Sequence, residues 1–141
     1  RRASARLVGT IQSLVYVTDR GDGHEVLSAT AIVTLGKICL ASDQLTKRLL
    51  PVFMKELASS EQPAVRNNAL VVLFDLIKAH AALLDRHVPS IALAMTDDAA
   101  LVRRQALMLF TQLLLEDHVK WRPTLFRAFA TALSDPEPSQ R

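Results

Sequence analysis

A repeat organises this sequence. Glu61, Asp98 and Asp135 stand 37 residues apart, each behind an apolar stretch (VFMKEL, IALAM and LFRAFATAL). After the first two comes a matching segment, AVRNNALVVLFDLI (Ala64 to Ile77) and then LVRRQALMLFTQLL (Leu101 to Leu114). Val65/Val102, Arg66/Arg103, Ala69/Ala106, Leu70/Leu107 and Leu76/Leu113 keep the same period. A weaker copy lies 38 residues upstream, where Ala31, Ile32, Leu35 and Ile38 match Ala69, Leu70, Leu73 and Leu76. A period of this length marks small units that cannot bury their apolar sides alone and must stack.

Within a copy the pattern is helical. Val65, Ala69, Leu70, Leu73, Leu76 and Ile77 form one broad apolar face on a 3.6-residue turn, with no strand-like alternation. The spacing predicts helices over 3–17, 25–41, 43–58, 64–80, 82–96, 101–116 and 119–134. Ser42 with Asp43 supplies an N-cap for the third. Residues 19–24 (DRGDGH), 59–63 (SSEQP) and 97–100 (DDAA) read as polar turns inside helix hairpins. Pro51, Pro89 and Pro123 fall early in the first helix of successive pairs, where a proline predicts a shared bend. The expected fold is all-α: an α-solenoid (α-α superhelix) of antiparallel helix pairs. About three pairs and one further helix occupy 1–134, and 135–141 is a polar tail cut from the following repeat.

Composition agrees with packed helices. Half of the 141 residues are hydrophobic but 5% are aromatic, and Gly and Pro are too few for a disordered or turn-dense chain. Seventeen Lys and Arg against fourteen Asp and Glu leave +3, spread along the chain instead of gathered in a patch. The single cysteine, Cys39, sits between Ile38 and Leu40 and reads as a small core residue. No apolar run approaches the roughly 18 residues needed to cross a bilayer, so no membrane partner is expected. The chain begins at Arg1 instead of Met, and a fragment of a longer array is expected.

Catalytic and metal motifs are missing. His24, His80, His87 and His118 never form His-Glu-x-x-His or a Cys/His ligand pair. No nucleophile elbow or phosphate-binding loop occurs. Gly21-Asp22-Gly23 is too short for a calcium loop, and Arg20-Gly21-Asp22 reads as turn chemistry. No cofactor, small-molecule substrate or enzymatic activity is expected. Two polar sets remain as candidate partner or DNA surfaces. Asn67, Asn68, Lys78 and Arg104 lie off the apolar faces of second helices. Lys47, Arg48, Arg86, Lys120 and Arg122 lie near the starts of first helices, spaced to touch successive phosphates. Trp121, with Phe126 and Phe129, reads as an aromatic anchor for the last helix. That helix has no complete successor, so apolar surface is expected to stay uncovered there.

A helix pair with proline in its first helix, an acidic turn and a Val-Arg-x-x-Ala-Leu second helix resembles the HEAT repeat. In such repeats the turn Asp and the helix Arg form a structural ladder. Here the resemblance places Asp97 six residues before Arg103, and it gives Arg66 the same position over Ser60 and Glu61. VTLGKICL (Val33 to Leu40), VRNNALVVLFDL (Val65 to Leu76), LDRHVPSIALAMTD (Leu84 to Asp97) and LLLEDHVKWRPTLFRAFATALSD (Leu113 to Asp135) resemble the D-type non-SMC HEAT subunits of condensin. The Glu116 to Trp121 stretch is most like the condensin II version. The resemblance implies a non-catalytic scaffold in mitotic chromosome condensation, in the nucleus and on chromosomes. Its implied partners are a kleisin subunit, the SMC ATPase pair, and chromatin or DNA. The alternative is a HEAT/armadillo-type adaptor or transport protein that binds peptide segments.

Overall fold

A computed structural model describes residues 5–10, 13, 25–120 and 122–134. The DRGDGH turn, His24, Trp121 and the tail 135–141 lie outside the described residues, as does most of the expected helix over 3–17. Residues 5–10 are helical, with Val8 buried. Five full-length helices follow: α1 (Glu25–Cys39), α2 (Asp43–Ser59), α3 (Pro63–Ala79), α6 (Ala100–Leu115) and α7 (Pro123–Ser134). Between α3 and α6 the chain alternates short α segments, α4 (Ala81–Leu84) and α5 (Val88–Ala92), with 3₁₀ turns at Asp85–His87 and Leu93–Thr96. No strand occurs among the described residues.

The helices form two rows. Second helices α1, α3 and α6 pack side by side, and each pairs with the first helix of its own or the next repeat. In the outer row, α5 and the 3₁₀ turn after it pack on α7. Position in the row sets burial. α3 has neighbours on both sides and buries nine of its 17 residues, including Leu70, Leu73, Phe74 and Leu76. α6 has a neighbour on one side and buries Val102, Ala106, Phe110 and Leu113. On its far side Leu101, Met108 and Leu115 stand exposed at seven-residue spacing, and on α7 Phe126 and Leu133 do the same. These stripes leave apolar surface exposed on the last two full-length helices among the described residues.

Two contacts set the spacing within the second-helix row. Gly36 is buried against α3, and a Cβ added there would lie 2.6 Å and 2.7 Å from the two methyl carbons of Val72. A residue without a side chain is what lets α1 come this close. One repeat later the spacer is large: Phe74 of α3 meets Phe110 of α6 edge to face, centroids 4.8 Å apart.

The corner between α1 and α2 is also tied. Ser42 Oγ accepts from the Leu45 N–H at 3.2 Å and caps α2. The Cys39 carbonyl accepts from Thr46 Oγ1 at 2.9 Å, from the Ser42 N–H at 3.1 Å and from His80 Nε2 at 2.9 Å. His80 Nδ1 lies 2.5 Å from the Asp43 carboxylate, which fastens the end of α3 to the same corner.

Three features differ from the sequence expectation. The helix expected over 82–96 is broken by its two 3₁₀ turns. The helix expected from 119 begins at Pro123, because α6 ends in a Schellman turn: Asp117 has φ 57°, and the His118 N–H reaches the Leu113 carbonyl at 2.9 Å. The prolines do not share a bend. Pro51 lies inside continuous α2, whereas Pro89 and Pro123 sit in the first turns of their helices, where a missing N–H costs nothing.

Replacing Gly36 with Ala should lower stability by about 1–3 kcal/mol through overpacking. A Val72→Ala change in that background should recover part of the loss in thermal melting. Burial raises the Cys39 thiol to about 11, against a smaller lowering by Thr46. Cys39 should therefore resist alkylation at neutral pH in the folded chain and react once urea unfolds it, as read by mass spectrometry.

Candidate functional site

The 37-residue period has a physical counterpart at the turn edge of the stack. Arg66, in the first turn of α3, places Nη1 2.7 Å from the Ser60 carbonyl of its own hairpin turn. Arg103, at the matching place in α6, places Nη1 2.7 Å from the Asp97 carbonyl and 2.9 Å from that of Asp98. Each arginine thus closes its own turn across six residues. Arg66 also reaches forward into the next repeat. Its Nε donates to Asp97 Oδ2 at 3.0 Å, and Nη2 donates to Asp97 Oδ1 at 2.9 Å and Asp98 Oδ1 at 2.8 Å. Asp97 in turn accepts the Ala99 N–H at 2.9 Å, which opens α6.

The Arg66–Asp97 pair is largely dry, with side chains 10% and 11% exposed, whereas the Asp98 side chain stands in solvent. A two-pronged arginine–carboxylate pair is among the stronger charge-assisted contacts. Burial by itself would push the Asp97 carboxyl up. The donors Arg66 and Ala99 N–H outweigh that and hold it below the ordinary carboxylate value. Arg66 is raised, first by its hydrogen bond to Asp97 and against its own burial.

Of the other candidate residues, some are buried or tied to neighbouring elements and some stand at the surface. Asn68 donates to the Ala29 carbonyl of α1 at 3.2 Å, so it serves the packing between second helices. Asn67 Oδ1 is buried without a hydrogen-bond partner among the described residues. Lys78 stands 3.5 Å from Glu116 and links the ends of α3 and α6. Arg122 is committed to the preceding repeat, donating to the Asp85 carbonyl at 3.2 Å and forming an ion pair with its carboxylate. Lys47, Arg48, Arg86, Arg104 and Lys120 are exposed. Arg86 leans on His87 at 3.4 Å. The structure brings together Arg66, Asp97 and Arg103.

Sequence reasoning took Asp98 only as a marker of the period, and it missed Asp98 and Asp85 as partners of arginines. Both carry a readable signal: Asp98 repeats the position of Glu61, and Asp85 stands 37 residues before Arg122. It also missed the Gly36–Val72 contact, for which one glycine in an apolar helix was the available clue. No group of three metal-ligating side chains occurs among the described residues. No helix there is long and apolar enough to cross a membrane.

Residues 12–140 match the Adaptin N terminal region. The chain belongs to that HEAT-type family. It is also a homologue of condensin D-type subunits. It is 41% identical over 113 residues to the mouse condensin-2 complex subunit D3, a match covering 80% of this chain and 8% of that protein. The Arabidopsis thaliana condensin-2 complex subunit CAP-D3 is 38% identical over 110 residues, 78% of this chain and 8% of the relative. The human condensin complex subunit 1 is 35% identical over 112 residues, 79% of this chain and again 8% of the relative. The chain therefore spans about a twelfth of the length of these relatives.

In this adaptin-type stack, Arg66→Ala should cost about 3 kcal/mol, because it strands a buried carboxylate. Arg103→Ala, which gives up carbonyl contacts, should cost about 1–2 kcal/mol. Chemical denaturation measures both. As pH falls, the unfolded chain takes up the Asp97 proton before the folded chain does. The contribution of Asp97 is thus complete above the unfolded value of about 3.9 and is lost as pH drops through the lower native value. The stability gap between the natural chain and Asp97→Asn should stay level above pH ~5 and narrow below pH ~4.

Proposed function

We propose that this chain is a non-catalytic scaffold segment of a condensin HEAT subunit, of the D3 type found in condensin II. It acts in mitotic chromosome condensation and segregation, in the nucleus and on chromosomes. The similarity to condensin-2 subunits of both an animal and a plant carries this reading, since it spans the repeats and their ladder together. The partners in this reading are the kleisin and, through it, the SMC ATPase pair, which supplies the chemistry. The segment's own task is to hold successive helix pairs at fixed spacing so that a long subunit presents a continuous surface.

Chromatin or DNA contact belongs to the same reading. Lys47, Arg48, Arg86 and Lys120 are exposed on the side of the first helices and their connections. So few cations give weak binding that falls steeply with salt, since each phosphate contact releases counterions. A second reading, a HEAT/armadillo-type adaptor or transport protein that binds peptide segments, draws on the match to the Adaptin N terminal region.

The deciding experiment is purification of the full-length protein containing this segment from mitotic cells. Co-recovery of an SMC ATPase pair and a kleisin supports the condensin reading. Recovery of membrane-coat components without SMC proteins would overturn it in favour of the adaptor. For the DNA contact, the Lys47→Glu/Arg48→Glu pair should reduce both the affinity for a duplex and its salt slope, measured by fluorescence anisotropy.

A further inference from the structure

The first helix between α3 and α6 winds in a way that its apolar spacing does not call for. Its buried side chains Leu84, Val88, Ile91, Ala92 and Met95 keep the spacing of an α-helix. The first helices on either side, α2 and α7, are unbroken α. Yet this stretch turns 3₁₀ twice, at Asp85–His87 and at Leu93–Thr96.

The first of these turns has a local cause. Pro89 offers no N–H to the Asp85 carbonyl four residues back, which accepts the Val88 N–H instead and takes Arg122 Nη1 at 3.2 Å. The second turn has no cause of that kind. Leu, Ala and Met are strong α formers, and no proline or glycine lies between Leu93 and Ala100. In α winding the Asp97 N–H would reach the Leu93 carbonyl. It goes to the Ala94 carbonyl at 3.2 Å, and the Leu93 carbonyl accepts from Thr96 Oγ1 at 2.8 Å.

The residues that follow the second turn are the carboxylates of the clamp. An α-helix turns about 100° and rises about 1.5 Å per residue, and a 3₁₀ helix turns about 120° and rises about 2.0 Å. Over the four residues Leu93–Thr96 the tighter winding carries Asp97 about 80° further round and about 2 Å further along. In this winding Asp97 meets Nε and Nη2 of Arg66. In the other it would be turned away from them.

We propose that the clamp and the Leu93–Thr96 turn are one two-state device: clamped, the turn is 3₁₀, and released, it rewinds to α. Three features ease the change. Met95 follows Val88, Ile91 and Ala92 at α spacing, so rewinding keeps it on the buried side. Leu93 is 67% exposed and has open space on both sides, a groove of about 580 Å³ toward α2 and one of about 260 Å³ toward α7. Arg66 Nη1 keeps the Ser60 carbonyl of its own turn when the carboxylates leave. Because α6 opens at Ala100, the rotation passes directly to the next second helix. Neighbouring pairs then have two settings, which gives a long array two local curvatures.

The test is nuclear magnetic resonance on the full 141-residue chain, isotope-labelled. Proximity between an Hα and the N–H two residues on marks 3₁₀ winding, and proximity to the N–H four residues on marks α. The natural chain should show the two-residue contacts from Leu93 to Asp97. The Asp97→Ser/Asp98→Ser variant frees Arg66 from both carboxylates and keeps a hydroxyl to accept the Ala99 N–H. It should lose those contacts and gain the four-residue contact from Leu93 to position 97. Arg66→Gln, a second way to open the clamp, should do the same. The Asp85–His87 turn, set by Pro89, should stay 3₁₀ throughout, and the Phe74–Phe110 ring contact should report an intact stack. The inference is overturned if the two-residue contacts persist in both clamp variants, or if both kinds of contact vanish because the turn unravels. It is also overturned if Thr96→Val rewinds the turn while the clamp stays closed, since the Thr96 hydroxyl would then be the cause.

Discussion

The guanidinium of Arg66 makes contacts in two repeats at once, and the order of the stack rests on it. One nitrogen closes the turn that starts α3, and the other two grip the carboxylates that start α6. Apolar packing between helices resists separation but tolerates sliding and small rotations, because it is not directional. A buried, two-pronged ion pair tolerates neither. Register between the repeats is thus specified by charge, while cohesion comes from the leucines between them. Asp97 completes the arrangement by accepting the N–H that opens α6, so one carboxylate both receives the clamp and starts the next helix.

Around this fixed point, side-chain size sets how near the second helices come. Gly36 admits α1 against Val72, whereas Phe74 and Phe110 fill the space between α3 and α6. Nearest-neighbour contacts of this kind are what make a solenoid a sum of local terms. A change at one interface is felt first by the two repeats that share it. His80 adds a second tie at the opposite edge, joining the end of α3 to the corner of α1 and α2.

Much of this was written in the sequence. The 37-residue spacing of Val65/Val102 and Arg66/Arg103 places equivalent side chains on equivalent helices, and the apolar period identifies α3 and α6 with their buried faces. What escaped was context. Arg66 has Ser60 at the position where Arg103 has Asp97, so no carboxylate stands in its own turn at that spacing. Its carboxylate partners lie 31 and 32 residues downstream, and spacing within a repeat cannot show a bond between repeats. Pro51 and Pro89 look alike in sequence, yet one lies in an unbroken helix and the other follows a 3₁₀ turn. Tertiary packing decides between those outcomes. The exposure of Leu93, inside the apolar IALAM stretch, is likewise set by its surroundings.

The placement of the Arg66 clamp also decides where such a stack can give. The clamp sits at the hairpin turns, along one long margin, and there neighbouring repeats are pinned. The larger groove beside Leu93 lies in the outer layer, where α2 and α5 stand apart. The molecule is therefore built like a bound book, stitched along its spine, with a lighter tie between its outer leaves where Arg122 holds Asp85. Tension along a longer array would open the leaves first, widening the clefts between outer helices while the stitching keeps the order of the pages.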